Sequence, residues 1–145
     1  MSKVPSKWIK QIYNKVDIVY FHINIDENIS DIVKLCKKFN LIIGLVITTK
    51  DDLESIKKLI VKFNRILLLA IDTPGFSGQK FNNKAFEHIK EINKINKKTI
   101  LCVDGGVNLS NIKQLNCEEV VTGSFILNSS KPKNDLIKLF NTEFF

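Results

Sequence analysis

The chain is poor in arginine: of its 22 basic residues 21 are lysine, and Arg65 stands alone. Arginine is the residue that grips phosphate and guanine with a planar fork. A net charge of +7 carried by lysine, in a sequence also heavy in isoleucine and asparagine, therefore reads as an A·T-rich coding bias and not as a nucleic-acid surface. Cysteine is scarce and odd in number. Cys36, Cys102 and Cys117 lie far apart, which excludes a disulfide framework and a zinc motif and leaves small core residues of a reducing compartment. No apolar run approaches the roughly 18 residues of a membrane span, and Met1-Ser-Lys-Val-Pro5 lacks the apolar core of a secretory signal. The expectation is a cytoplasmic protein without a membrane or nucleic-acid partner. Its 145 residues, 44% of them hydrophobic, suit a single domain spanning 1–145.

Two kinds of segment alternate along that domain. Short, branched, nearly continuous apolar runs fall at 16–23, 41–47, 65–71, 99–103 and 119–127, as expected of strands covered on both faces. Between them apolar residues recur at helical spacing: Leu53, Ile56, Leu59, Ile60 and Phe63 within 51–63, and Phe86, Ile89, Ile92 and Ile95 within 83–95. A run of βα units predicts an α/β fold with a parallel sheet of about five strands and flanking helices.

Five of the six glycines fall near strand ends, the edge where such folds place their ligands. Asp104-Gly105-Gly106 puts a carboxylate at a strand tip, followed by two residues that let backbone N–H groups approach a ligand; a capped turn before a helix near Asn108 and Ser110 explains it equally well. Gly123, in Val121-Thr122-Gly123-Ser124, interrupts the fifth strand and reads as a bulge or as close approach of a ligand. Loops after the last two strands of a (β/α)₈ barrel often build a phosphate site, so the two motifs together are more specific than either. In Pro74-Gly75-Phe76-Ser77-Gly78-Gln79, two glycines flank an aromatic at the same edge, the composition of a lid or of a static loop.

These motifs carry a resemblance. LLLAIDTPGFSGQKF, then ILCVDGGVN, then VVTGSFIL resemble, in order and spacing, the C-terminal part of the ribulose-phosphate 3-epimerase family; Pro5 to Trp8 resembles the helix before that family's fourth strand, and Phe21-His22 matches the strand itself. The resemblance implies a partial TIM barrel and metal-dependent inversion of C3 in a ketose phosphate such as ribulose 5-phosphate, a reaction of carbohydrate metabolism. It makes Asp104 both a metal ligand and one member of the acid/base pair. Gly105, Gly106, Gly123 and Ser124 would hold the sugar phosphate, Gly75, Phe76, Ser77, Gly78 and Gln79 would form the lid, and His22 would stand near the site. The metal would be zinc, or else manganese, iron or cobalt.

The family's first three strands, with three of its four metal ligands and the opposing aspartate, have no counterpart here, and Asn24 stands where the family commonly has an acid. His88, on a helix, is expected to face solvent. Eight βα units need roughly 200 residues or more, so five strands leave two unpaired edges. The expectation is a truncated barrel that is inactive unless a complementing N-terminal chain supplies the rest, with self-association at the open edges. The alternative is a relic that binds phosphate without chemistry.

Overall fold

The computed structural model describes residues 2–142. In chain order the elements are α1 (Pro5–Ile12), β1 (Ile18–His22), α2 (Ile29–Lys38), β2 (Ile42–Thr48), α3 (Leu53–Ile60), β3 (Arg65–Leu69), α4 (Lys84–Ile95), β4 (Ile100–Asp104), a 3₁₀ turn (Ile112–Gln114), β5 (Glu119–Val121), α5 (Ser124–Leu127) and α6 (Pro132–Phe140). Local chemistry sets several helix starts. Pro5 and Pro132 occupy first-turn positions where no N–H is needed, Asn28 accepts from Ser30 N–H at 2.8 Å, and Asp52 accepts from Glu54 N–H at 3.2 Å.

The five strands form one parallel sheet in the order β1-β2-β3-β4-β5, so each strand pairs with its neighbours in sequence. Crossovers between parallel strands are right-handed almost without exception. A sheet that always advances in one direction therefore places every helix on one face, which is the winding of a barrel and not of a doubly wound sheet.

Register assigns the side chains to the two faces. Phe21, Leu45, Ile47, Ile66, Leu68, Leu101 and Val103 point toward the helices and join one core with Ile9, Ile32, Cys36, Ile60, Ala85, Ile89 and Ile92; none is more than 3% exposed. The opposite face holds the alternate residues, in rows that follow the pairing: Tyr20 beside Gly44, His22 beside Val46 and then Leu67 and Cys102, and Leu69 beside Asp104 and then Val121. This is the concave, interior face of the arc.

Four expectations are corrected. The fifth strand ends at Val121; Gly123 is no strand bulge but the residue that opens α5, with Ile126 and Leu127 N–H groups closing on its carbonyl at 3.0 Å. The apolar run 119–127 thus changes from strand to helix midway. No α-helix follows Asp104-Gly105-Gly106, where Asn108 to Gln114 form tight turns instead. α3 closes at Ile60, short of the 63 that its periodicity reaches. His88 is half-buried, its ring nitrogens 3.2 Å from the carbonyl oxygens of Lys84 and Asp51, so it joins α4 to the start of α3.

Candidate active site

Asp104 is the last residue of β4 and lies on the interior face, half-buried. Burial raises its pKa above the ordinary carboxylate value, and a hydrogen bond from Gly105 N–H partly offsets the shift. A carboxyl moved toward neutrality in a cleft suits proton exchange. Its own carbonyl accepts from Ala70 N–H at 2.7 Å, which fixes the tip of β4 to the end of β3.

The turn beyond it is built by packing. Gly106 has φ +68°, and a Cβ there would stand 2.3 Å from the backbone nitrogen of Phe81, so its lack of a side chain serves the base of the 73–80 loop. The Gly106 carbonyl accepts from both Asn108 Nδ2 and Asn111 Nδ2 at 3.0 Å, and Asn111 Oδ1 accepts from Asn108 N–H at 2.9 Å. Thr122 Oγ1 donates to the Val107 carbonyl at 3.1 Å, joining the loop after β5 to the loop after β4. Sequence reasoning placed Asn108 only near an expected helix start and Thr122 only in its motif; their turn-closing roles, and Asn111 altogether, it missed. The clustering of asparagine and serine after Gly106 was the available signal, since such side chains close turns on their own backbone.

The 73–80 loop is closed at its neck by Gln79. Its amide nitrogen donates to the carbonyls of Thr73 at 2.6 Å and Phe76 at 2.8 Å, and its amide oxygen accepts from Thr73 N–H at 3.0 Å. Gln79 therefore shapes the loop, and its polar atoms are engaged within it. Phe76 stands at the tip, 70% exposed. Asn82, which donates to Asp72 Oδ1 at 2.6 Å, closes the loop's base.

Asp104, Gly105, Gly106, Gly123, Ser124, His22 and Gly75 through Gln79 all line one cavity of about 560 Å³. Every residue the sequence nominated is thus brought to one place. Burial lowers the pKa of His22, opposed by Asp51 and assisted by the amino terminus and Lys3, which favours the neutral ring. The cavity continues over β1, both faces of which line it through Val19, Tyr20, Phe21 and His22, to Pro5, Trp8, Ile9 and Ile12 of α1.

At the opposite end of the interior face lies a polar belt. Arg65 donates from Nε to the Tyr20 hydroxyl at 3.0 Å and pairs through a terminal nitrogen with Glu119, joining β1, β3 and β5. The Tyr20 ring crosses Gly44 so closely that a Cβ there would come within 2.2 Å of it.

Among the described residues no three His, Cys, Asp or Glu side chains stand together as a metal-holding group. Asp104 is a single carboxylate, and one carboxylate does not hold a divalent transition ion in competition with water. The donor set present does not fit the metal that the resemblance implies.

The sequence model of the ribulose-phosphate 3 epimerase family matches residues 1–127. The chain belongs to the ribulose-phosphate 3-epimerase family. Curated ribulose-phosphate 3-epimerases similar to it include that of Buchnera aphidicola subsp. Baizongia pistaciae, 35% identical over 79% of this chain and 53% of the relative, and that of Helicobacter pylori strain 26695, 34% identical over 82% and 58%. The chain thus spans a little over half the length of these epimerases. Among solved structures, 3-hexulose-6-phosphate synthase from Salmonella typhimurium superposes with a TM-score of 0.71 at 16% identity, covering 95% of this chain and 65% of that one. The alpha subunit of tryptophan synthase from Campylobacter jejuni gives 0.60 at 20%, covering 97% and 58%. These likenesses establish the fold, a five-strand portion of a TIM-like barrel. No helix among the described residues is long and apolar enough to cross a membrane.

Proposed function

We propose that the chain supplies the phosphate-binding loops, the lid and one proton-exchanging carboxylate of a ketose-phosphate 3-epimerase. The convergence of Asp104, the Gly105-Gly106 turn, Gly123-Ser124 and the 73–80 loop on one cavity carries this reading. Backbone N–H groups at the Gly105-Gly106 turn and at the first turn of α5 receive the phosphate, where glycine allows close approach. Phe76 and its neighbours fold over the sugar and exclude water. Asp104 exchanges a proton with the carbon beside the carbonyl, its pKa brought toward neutrality by burial.

Epimerisation needs a second acid on the opposite face of that carbon, and among the cavity-lining residues of the arc Asp104 is the sole carboxylate. The chain by itself is therefore expected to bind and not to turn over. The metal requirement belongs to the completed barrel, since Asp104 alone does not meet it.

Two measurements test the reading. Amide chemical shifts of Gly105, Gly106, Gly123 and Ser124 should move on addition of inorganic phosphate or ribulose 5-phosphate, in the wild type and in Asp104→Asn, and stay still in Gly123→Val. A Cβ at Gly123 meets no atom within 4 Å, so the variant fills the anion's space and not the protein's. Equal binding by wild type and Gly123→Val would refute the phosphate assignment. Exchange of the C3 proton of ribulose 5-phosphate into deuterated solvent should be undetectable with the chain alone; exchange abolished by Asp104→Asn would show that the arc suffices.

A further inference from the structure

Two cavities meet at the Gly106 turn, and they differ in charge. The lining of the larger one, about 560 Å³, holds one carboxylate, Asp104, and neither lysine nor arginine. Beside it lies a second cavity of about 300 Å³, which shares Gly78, Gln79, Gly106, Val107 and Ser124 with the first. Its lining holds no carboxylate and one cation, Lys80. A phosphate received by the shared turn therefore has a carboxylate on one side and an ammonium on the other. Two negative charges in a partly apolar cleft repel far more strongly than in water, so the anion is driven toward the second cavity.

The uncommitted polar groups of that cavity suit an anion. Among the described residues the side chains of Lys80, Ser124 and Asn128 make no hydrogen bond or ion pair, and each has a donor to give. The other polar side chains of the lining are engaged: Asn108 gives its Nδ2 to the Gly106 carbonyl and its Oδ1 to Ser110, and Gln79 is held within its own loop. The Lys80 side chain is exposed, but its main chain is fixed against the turn. A Cβ at Gly106 would stand 2.9 Å from the Lys80 carbonyl carbon and 2.3 Å from the Phe81 nitrogen. Two residues on, Asn82 N–H donates to the Ala70 carbonyl at 2.8 Å and anchors the segment to the end of β3. The close approach that requires glycine at 106 thus also sets the root of Lys80 beside the turn.

We infer that Lys80, with Ser124 and Asn128, forms the charged half of the phosphate site and makes the site selective for a dianionic phosphomonoester. The inference rests on the phosphate reading above and adds to its backbone donors the cation that offsets Asp104. Lysine serves here as a point charge, with the hydroxyl and the amide giving direction.

The test follows the amide chemical shifts of Gly105, Gly106 and Ser124 while the full chain is titrated with inorganic phosphate. Lys80→Gln should weaken binding by about tenfold, and Lys80→Arg should restore most of it. Raising sodium chloride from about 50 to about 300 mM should weaken the wild type more steeply than Lys80→Gln, a difference that a merely structural role does not produce. Asn128→Asp, which sets a carboxylate into the same cavity, should abolish binding. Lys98→Gln removes the same charge from the exposed segment ahead of β4, at the opposite edge of the sheet, and should bind as the wild type does. Equal binding by Lys80→Gln and the wild type, or an equal loss in Lys98→Gln, would overturn the inference; loss of binding in Gly123→Val would then leave the phosphate reading standing. Binding lost in Lys80→Gln but kept in Gly123→Val would do the reverse. Shifts that stay still in the wild type would refute both.

Discussion

The two faces of the sheet are made from the same five strands, yet they obey different chemistry. The helix-covered face is apolar throughout, from Phe21 through Leu45, Ile66 and Leu68 to Val103, and it is sealed. The interior face alternates apolar residues with Tyr20, His22, Thr48, Arg65, Cys102, Asp104 and Glu119, the groups that carry both the belt and the proposed chemistry. Stability resides mainly on one face and the proposed chemistry on the other, and neighbouring residues of one strand serve opposite ends.

The largest effect should come from the sealed face. Leu68→Ala, at a position with no exposure, is expected to cost about 3 kcal/mol in chemical denaturation. A loss below about 1 kcal/mol would mean that the core relaxes around the gap and that the two faces are less distinct than described.

A smaller loss is expected on the interior face, with a different signature. Arg65→Met leaves Tyr20 and the half-exposed Glu119 without their shared partner, at a cost of about 1–2 kcal/mol. Cys102 pairs with Glu119 in the register and is buried, its pKa pushed up to about 11 chiefly by burial. Its thiol should react slowly with a disulfide reagent at pH 8 in the wild type and more slowly still in Arg65→Met, which removes the charge that favours the thiolate. Arg65→Lys should resemble Met, because one ammonium does not reach partners on opposite sides. Full rescue by lysine would reduce the belt to a simple charge effect.

The smallest effect concerns Asp104. A carboxyl whose pKa is raised on folding stabilises the folded state while protonated, and that contribution is lost as pH rises from its unfolded value through its folded one. Asp104→Asn should therefore melt at a slightly higher temperature than the wild type at pH 7, the difference vanishing as pH falls below about 4. A variant less stable at pH 7 would mean that the ionised carboxylate makes a contact worth more than its burial costs.

Much of this division was legible in the chain. Branched apolar runs marked all five strands, and glycines marked the edge where the site lies. The fifth run extends past Val121 in the sequence pattern, because a short apolar stretch looks alike as a buried strand or a buried helix turn, and Thr122-Gly123-Ser124 is the one break within it. The motif at Asp104 was plain, but its support by Asn108, Asn111 and Thr122 was not, since turn-closing side chains are recognised only once the turn is known. The belt was invisible for a different reason. Tyr20 and Arg65 fall in one row and Glu119 one row further along, in register with Cys102; the three meet only through the pairing of successive strands, and no local pattern records that.

The belt also bears on the composition with which the chain is first met. Lysine fills 21 of the 22 basic positions, and the single arginine stands where one cation serves a phenol on one side and a carboxylate on the other. Lysine presents a point charge at the end of a flexible stem; the guanidinium presents separate donors pointing in fixed, different directions. The lone arginine thus stands where a point charge would not suffice, and in other lysine-rich chains the few arginines are the first places to look for contacts that join distant strands.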